Sequence, residues 1–241
     1  MRTRTGTRWR YSRCRMVGQG WCIAPRSTTS WKSRSPGPGN GSPRDRSDLQ
    51  DIFHSRLAVS TDGRHLLSAG WIWQPFDTVE IYDLPLALEQ LRALDAFTLD
   101  DPWTQATRLE ISGACFTGQD VVVSTTADEP ETDEPGHLGG RMIARWSVEE
   151  QQFKWLRQLA QTAGDLLPLG DSILALYQHP RLYDAETGEL QAEWADLDTG
   201  QAHSSIVWDK AFSGPARIAV DEPGRRFAVT DDEKITIIQL G

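Results

Sequence analysis

The chain has 241 residues and a formal net charge of −9, and this length suits one large domain or two small ones. Residues 1–50 carry 11 Lys and Arg against 2 Asp and Glu, a net of +9, whereas residues 51–241 carry 14 against 32, a net of −18. The acidic part excludes nucleic acid as its main ligand, because phosphate binding needs a basic surface. No run of about 18 apolar residues exists, so no transmembrane helix is predicted.

Residues 1–50 are predicted to be a disordered segment that precedes the domain at 51–241. They are rich in Arg, Ser, Thr, Gly and Pro and show no periodic apolar face. Such a segment cannot bury enough surface to offset its chain entropy. Cys14 and Cys22 lie in it at a spacing that fits no familiar zinc site, which leaves Cys115 alone in the domain and excludes a disulfide framework there.

Three other origins of the basic segment stay open. Translation from a wrong frame or start yields Arg, Ser and Trp without pattern, as seen here. A transit peptide is also Arg- and Ser-rich and poor in acids, but the Gly and Pro content spoils its amphipathic helix. An arm that binds nucleic acid or an anionic surface is the third origin.

The stretch Arg56–Leu84 predicts a strand, a tight turn, a second strand, a loop and a third strand. Leu57–Val59 is a short apolar run, and Asp62-Gly63 after it suits a hairpin turn because Gly accepts positive φ. Three short antiparallel strands cannot bury both faces alone, so they need neighbouring sheets. Downstream, Pro85 and leucines at 84, 88, 91 and 94 predict a short helix.

The strand–turn–strand–strand pattern then recurs along the chain. The second copy runs through 109–148, the third through 165–184 and the fourth through 217–240. If the third strands are aligned, Asp83, Ser147, Asp184 and Gln239 are equivalent, at spacings of 64, 37 and 55 residues. These scatter around the roughly 40–45 residues of a propeller blade once insertions are allowed. The pattern predicts an all-β fold, with an irregular β-sandwich as the alternative.

The chain resembles a WD40-like β-propeller over about residues 55–240. The resemblance rests on the hairpins Ser60–Arg64 and Asp221–Arg225, and on Tyr82-Asp83 and Tyr183-Asp184 where that family places Trp-Asp. It departs from the family because no Gly-His pair opens the copies, Trp146 is followed by Ser147, and the last copy has Ile238-Gln239. The resemblance implies a β-propeller-like fold of about four blades.

Four blades are at the lower limit for a propeller ring. In such folds the outer strand of the last blade often comes from the N-terminus, but residues 1–50 contain no obvious candidate for it. An unclosed ring leaves long edges that invite aggregation. We therefore expect that N-terminal blades are missing and that the propeller is partial.

The sequence contains no catalytic or ligand-binding motif that indicates a particular enzyme. There is no Gly-x-Ser-x-Gly motif, and His179 and His203 have no identifiable Ser or Cys partner. Gly136–Gly140 lacks the Lys and the helix of a phosphate-binding loop. The acidic loop 128–137 lacks the spacing of a calcium site and contains two prolines. No catalytic residue, metal site or cofactor is predicted.

Partner binding is predicted at the loops between second and third strands, which propeller geometry places on one face. The candidates are Trp71, Trp73 and Phe76 in the loop 70–77, and His179 in the third copy. Aromatic side chains anchor interfaces. The alternative for Trp71 and Trp73 is that they continue the second strand and pack between blades.

Three hypotheses for function follow. The first is a non-catalytic propeller that acts as a protein- or peptide-binding scaffold. The second is an enzyme or small-ligand-binding propeller whose site lies in the central channel or in missing blades, since propellers host many functions. The third is an inactive truncated gene product. The absence of a secretory segment indicates the cytoplasm if residue 1 is the true start, and the oligomeric state is not predicted.

Overall fold

The structure is a computed structural model that describes residues 52–72, 76–90, 94, 102–107, 109–126, 138–204, 217–230 and 233–241. Predictions about residues 1–50, Trp73 and the acidic loop 128–137 lie outside the described residues. Within these ranges the chain forms four consecutive antiparallel sheets and two short helices.

The first sheet contains β1 (Ile52–Phe53), β2 (Leu57–Val59), β3 (His65–Ile72) and β4 (Phe76–Asp83). The second contains β5 (Ile111–Thr117), β6 (Asp120–Thr125), β7 (Met142–Ser147) and β8 (Gln152–Gln158). The third contains β9 (Leu166–Leu169), β10 (Ser172–Ala175), β11 (Arg181–Asp184) and β12 (Leu190–Glu193). The fourth contains β13 (Ile218–Asp221), β14 (Arg226–Thr230) and β15 (Ile235–Gln239). The helices are α1 (Leu84–Glu89) and α2 (Pro102–Ala106).

In the second, third and fourth sheets, strands adjacent in sequence pair in space and form a meander. The order is β5-β6-β7-β8 in the second sheet, β9-β10-β11-β12 in the third and β13-β14-β15 in the fourth. In the first sheet, β1 and β2 follow one another along the same edge of β3, and β4 pairs with its other edge. The predicted first, second and third strands of all four copies are therefore confirmed.

Tight turns join β2 to β3 in the first sheet and the first strand to the second in the other three sheets, as their sequences predict. Gly63 and Gly118 have φ values of 73° and 63°, a region that side chains disfavour. The predicted helix after the first sheet is present as α1, but it is shorter than the leucine spacing predicts, because it ends at Glu89 and the backbone of Gln90 is extended. Asp83 caps it, because its Oδ1 accepts a hydrogen bond from Leu86 N at 2.8 Å, and Pro85 occupies the first turn, where its missing N–H costs nothing.

Three apolar cores lie between the four sheets, one between each consecutive pair. Alternate residues along a strand point to opposite faces, and β6 shows the result: Val121 and Val123 face the first sheet, whereas Val122 faces the third. Because both faces of β6 are covered, all its residues are buried. The third core joins Leu174 and Leu182 to Phe227 and Val229 of the fourth sheet. The sheets are therefore stacked face to face in chain order.

The first strands of successive sheets lie side by side: β2 contacts β5, β5 contacts β9 and β9 contacts β13. Gly113 in β5 allows the closest approach, since a Cβ there would lie 2.5 Å from Gly164 O, just before β9. Meander sheets packed face to face with their first strands side by side are the arrangement of blades in a β-propeller. The all-β, propeller-like fold expected from the sequence is confirmed. No helix in the described ranges is long and apolar enough to span a membrane.

Candidate functional site

The candidate site lies at the end of the sheets where each first strand begins and each second strand ends. In an antiparallel meander these points lie at the same end of the sheet. We call this surface the entry face. It is defined by Arg56, Trp71, Asp77, Asp165, Tyr177, His179 and His203.

Two of the predicted aromatic residues of the first copy, Trp71 and Phe76, lie on neighbouring strands at this end of the first sheet. Trp71 is in β3, not in a loop, and its ring stacks on that of Phe53 in β1, with ring centroids 4.0 Å apart and an angle of 8°. The backbone of Trp71 therefore continues the second strand, as the alternative interpretation predicts. Phe76 begins β4 opposite Ile72. Trp71 lies opposite Asp77, so Trp71 and Phe76 are at the same end of the first sheet but in consecutive register pairs, which alternate between its two faces.

His179 lies in the connection between β10 and β11 of the third sheet. The second sheet therefore lies between His179 and the aromatic residues of the first sheet. Its Nε2 is 3.5 Å from Glu193 Oε2, and Arg181 Nε is 3.9 Å from the same carboxylate oxygen. Glu193 is half exposed, whereas the Arg181 side chain is buried and donates a hydrogen bond to Tyr177 O at 3.1 Å. The third sheet therefore presents a carboxylate and an imidazole at its entry end, held by a buried guanidinium.

Arg56, which sequence reasoning did not single out, connects three sheets at the entry face. Its Nε donates to Ala69 O in the first sheet at 2.8 Å, and its Nη1 donates to Ser112 O in the second sheet at 3.0 Å. Nη1 also forms an ion pair of 2.8 Å with Asp165, just before the third sheet. A fork of several fixed N–H donors suits this role better than an ammonium would.

Two carboxylates face this guanidinium, with opposite exposure. Asp77 Oδ1 is 3.5 Å from Arg56 Nη2 and its side chain is fully buried, whereas 48% of the Asp165 side chain is exposed. A buried carboxylate needs a nearby cation or hydrogen-bond donors. Asp77 and Arg56 thus stabilise the first sheet, while the Asp165 carboxylate remains accessible from solvent.

Residues 199–204 cross the entry face from the third sheet back to the second. Gln178 N donates to Gly200 O at 2.6 Å, which anchors the segment to the third sheet. At its far end the Ser112 hydroxyl donates to His203 O, and the Ser204 hydroxyl donates to Glu110 Oε1 at 3.4 Å. The segment therefore ties the second and third sheets together over the starts of β5 and β9.

The His203 ring lies between two hydroxyl groups. Its Nε2 is 3.3 Å from the Tyr177 hydroxyl, and its Nδ1 is 3.3 Å from the Thr162 hydroxyl. The hydroxyl of Ser112 donates to backbone carbonyls. Ser112 therefore does not direct its hydroxyl at a nitrogen of His203, as a serine nucleophile does toward its general base.

The described residues also offer little for thiol or metal chemistry. Cys115 is buried in the core between the second and third sheets, and its pKa is raised because burial disfavours the thiolate, with the negative charge of Glu222 adding to the effect. Within the described ranges, no three His, Cys, Asp or Glu side chains come together in a way that could hold a metal ion.

The fold and this face define the chain as a propeller-like protein with a mixed aromatic and polar surface at one end of its sheets. No protein-family model matches it. No curated protein matches it either.

Among solved structures, the chain is similar to one described as the mitotic checkpoint complex, at 12% identity and a TM-score of 0.44, over 79% of this chain and 49% of that one. It is similar to BamB from Moraxella catarrhalis at 15% identity and a TM-score of 0.37, over 82% and 47%. It is similar to Hsv2p from Kluyveromyces lactis at 15% identity and a TM-score of 0.39, over 79% and 49%. The chain thus spans about half the length of these three chains.

Proposed function

We propose that this chain is a non-catalytic, propeller-like protein that binds a protein or peptide through its entry face. The observation that carries the proposal is the stacked pair of Trp71 and Phe53, which lies half-buried at the entry end of the first sheet. Aromatic side chains held rigidly at a surface lose little conformational freedom on binding and are enriched among residues that dominate binding energy.

Polar groups on the same face suit such a partner. The exposed carboxylate of Asp165 is held by Arg56, and that of Glu193 is held by Arg181 and His179. Pre-positioned carboxylates accept charge-assisted hydrogen bonds from Lys or Arg side chains. Because residues 51–241 carry a net charge of −18, we propose a basic peptide or a basic protein surface as the partner, with association that weakens as salt is added.

The test is to select peptides that bind the whole chain from a random displayed library and to measure their affinity for four variants. Trp71→Ala and Phe76→Ala should each weaken binding by about tenfold or more, the effect of removing an anchor residue. His179→Ala tests whether the partner extends to the third sheet. Leu88→Ala, an exposed position on α1, is the control and should bind as the wild type does.

Circular dichroism of each variant separates lost binding from lost folding. Trp71→Phe keeps a ring against Phe53 and should lose less affinity than Trp71→Ala. The proposal fails if no peptide is selected, or if selected peptides bind Trp71→Ala and Phe76→Ala, both folded, as tightly as the wild type. Selected peptides that are acidic and bind independently of salt would contradict the proposed chemistry of the partner.

A further inference from the structure

The outer edge of β15 is a strand-binding position that no described strand occupies. In the second and third sheets the third strand is followed by a fourth, β8 or β12, whereas the described part of the fourth sheet stops at β15. The pairing with β14 shows which backbone groups of β15 point to the outer edge of the sheet. Leu240 N donates to Arg225 O at 2.9 Å, so the alternate residues Ile235, Ile237 and Gln239 direct their N–H and C=O groups away from β14.

The sequence of β15 carries none of the usual protection of an edge strand. Natural edges are blunted by charges, prolines, bulges or short length, but Ile235–Gln239 is uncharged, contains no proline and pairs with β14 in unbroken register. Ile235 and Ile237 lie on the face turned away from the third sheet, and their exposed fractions are 68% and 64%. Ile238, on the opposite face, packs against the core that the third and fourth sheets share.

The low net charge of the fourth sheet allows a second copy of the chain at this edge. Residues 51–216 carry 10 Lys and Arg against 27 Asp and Glu, a net of −17, so two copies repel each other over most of their surface. Residues 217–241 carry 4 against 5, a net of −1. Within residues 51–241, two copies that meet through the fourth sheet therefore bring together a part of the chain that is close to neutral.

We propose that two copies of this chain associate through their β15 edges, which pair antiparallel about a two-fold axis. In this arrangement Ile235 of one copy lies opposite Ile237 of the other, and the reverse pair forms by symmetry. The outward N–H and C=O groups are then satisfied across the axis. The two three-stranded sheets become one six-stranded sheet with four isoleucines side by side on one face, where cross-strand β-branched pairs are favourable.

The test is sedimentation velocity of the whole chain over a range of concentrations. The wild type should sediment with twice the mass of the single chain. Ile237→Lys should sediment as the single chain, because it places two like charges beside the axis. Leu88→Lys adds the same charge at a residue of α1 that is 76% exposed and should keep the doubled mass. Ile235→Lys is a second variant of the edge, and circular dichroism confirms that each variant is folded.

Two results would overturn the proposal. One is a doubled mass that folded Ile237→Lys and Ile235→Lys both retain, which would place the contact elsewhere. The other is a wild type that sediments as a single chain at every concentration. In that second case, hydrogen exchange at the Ile235 and Ile237 amides shows the reason: slow exchange means that a segment of the same chain occupies the edge, and fast exchange means that the edge stays open.

Discussion

Asp83 and Asp184 make the same contact at equivalent positions of two different sheets. Each ends a third strand, and in each the Oδ1 atom accepts a hydrogen bond at 2.8 Å from the backbone N–H three residues later, Leu86 in one case and Thr187 in the other. Asp184 accepts a further hydrogen bond from Glu186 N at 2.9 Å. The residue after the aromatic position of each copy thus caps the turn that leaves the sheet.

This contact predicts a pH-dependent stability at Asp184. The hydrogen bond from Thr187 N–H, with those from the Thr187 hydroxyl and Glu186 N–H, lowers the pKa of Asp184 below its ordinary value. A carboxyl group whose pKa is lowered on folding stabilises the folded protein at pH values above its ordinary pKa. This stabilisation is lost as the pH falls through the pKa of the folded state.

We therefore expect Asp184→Ala to unfold at a lower denaturant concentration than the wild type at neutral pH. The difference in the free energy of unfolding should shrink as the pH falls below the ordinary pKa of aspartate. Denaturant titrations at a series of pH values measure this difference. Asp196→Ala removes an exposed carboxylate and is the control. A difference that stays constant down to strongly acidic pH would show that the carboxylate charge does not stabilise the turn.

Arg56 should be among the residues most important for stability, although it lies partly at the surface. Arg56→Ala removes the hydrogen bonds to Ala69 O and Ser112 O and the cation beside the fully buried Asp77. Breaking a fully buried ion pair costs on the order of 3–5 kcal/mol, and we expect a smaller loss here because 23% of the Arg56 side chain is exposed. Equilibrium denaturation measures this loss.

Arg56→Lys should recover part of the loss, because an ammonium keeps the charge but cannot reproduce the fork. Arg64→Ala removes an exposed arginine in the β2–β3 turn and should be nearly neutral. If the two alanine variants were equally stable, the contacts of Arg56 would not connect the sheets energetically.

Gly113 and Gly118 should respond differently to alanine, because different constraints act on them. Gly118 has φ of 63° with open space around it, so Gly118→Ala costs only the left-handed backbone strain of about 1–2 kcal/mol. A Cβ at Gly113 would lie 2.5 Å from Gly164 O and 2.9 Å from Leu166 N. Both are backbone atoms that cannot move aside without separating β5 from β9.

Gly113→Ala should therefore lower the thermal midpoint more than Gly118→Ala does, and calorimetry of both variants tests this order. The reverse order would mean that the second and third sheets tolerate a wider separation than their contacts indicate.

Cys115 should be unreactive in the folded protein. Its thiol is buried and its raised pKa keeps it protonated, and the thiolate is the nucleophile. In a variant that carries Cys14→Ser and Cys22→Ser, a thiol reagent should label the protein only as fast as the protein unfolds. The labelling rate should rise with denaturant in parallel with unfolding. Rapid labelling without denaturant would contradict the burial of Cys115 between the second and third sheets.

The strands and turns could be predicted because their signals are local. Asp62-Gly63 and Glu222-Pro-Gly224 mark turns by backbone chemistry alone, and alternation within β4 or β15 is visible over five or six residues. At Ser147 the residue type differs from the aspartates at 83 and 184, but the contact is the same. The Ser147 Oγ accepts a hydrogen bond from Glu150 N at 3.1 Å and so caps the turn as those aspartates do.

The entry face could be predicted only in part. Trp71 is visible as an aromatic residue, but nothing nearby shows that it pairs with Phe53 and extends β3. Arg56 has no local signal, since its partners are 13, 56 and 109 residues away. Its φ of 45° does not set it apart either, since Arg141 and Arg225 have φ values of 55° and 47°. Roles created by contacts between sheets emerge from packing and not from sequence pattern.

The sequence separation between Arg56 and its partner also determines when this contact can form during biosynthesis. Its ion-pair partner Asp165 follows it by 109 residues, so at 5–20 residues per second the ribosome needs roughly 5–20 s to make the partner after Arg56 itself. During that interval the nascent first sheet lacks this ion pair, whereas β5–β8 can pair among themselves as they emerge. Chaperones that act on this chain would therefore meet the first sheet in its least protected form.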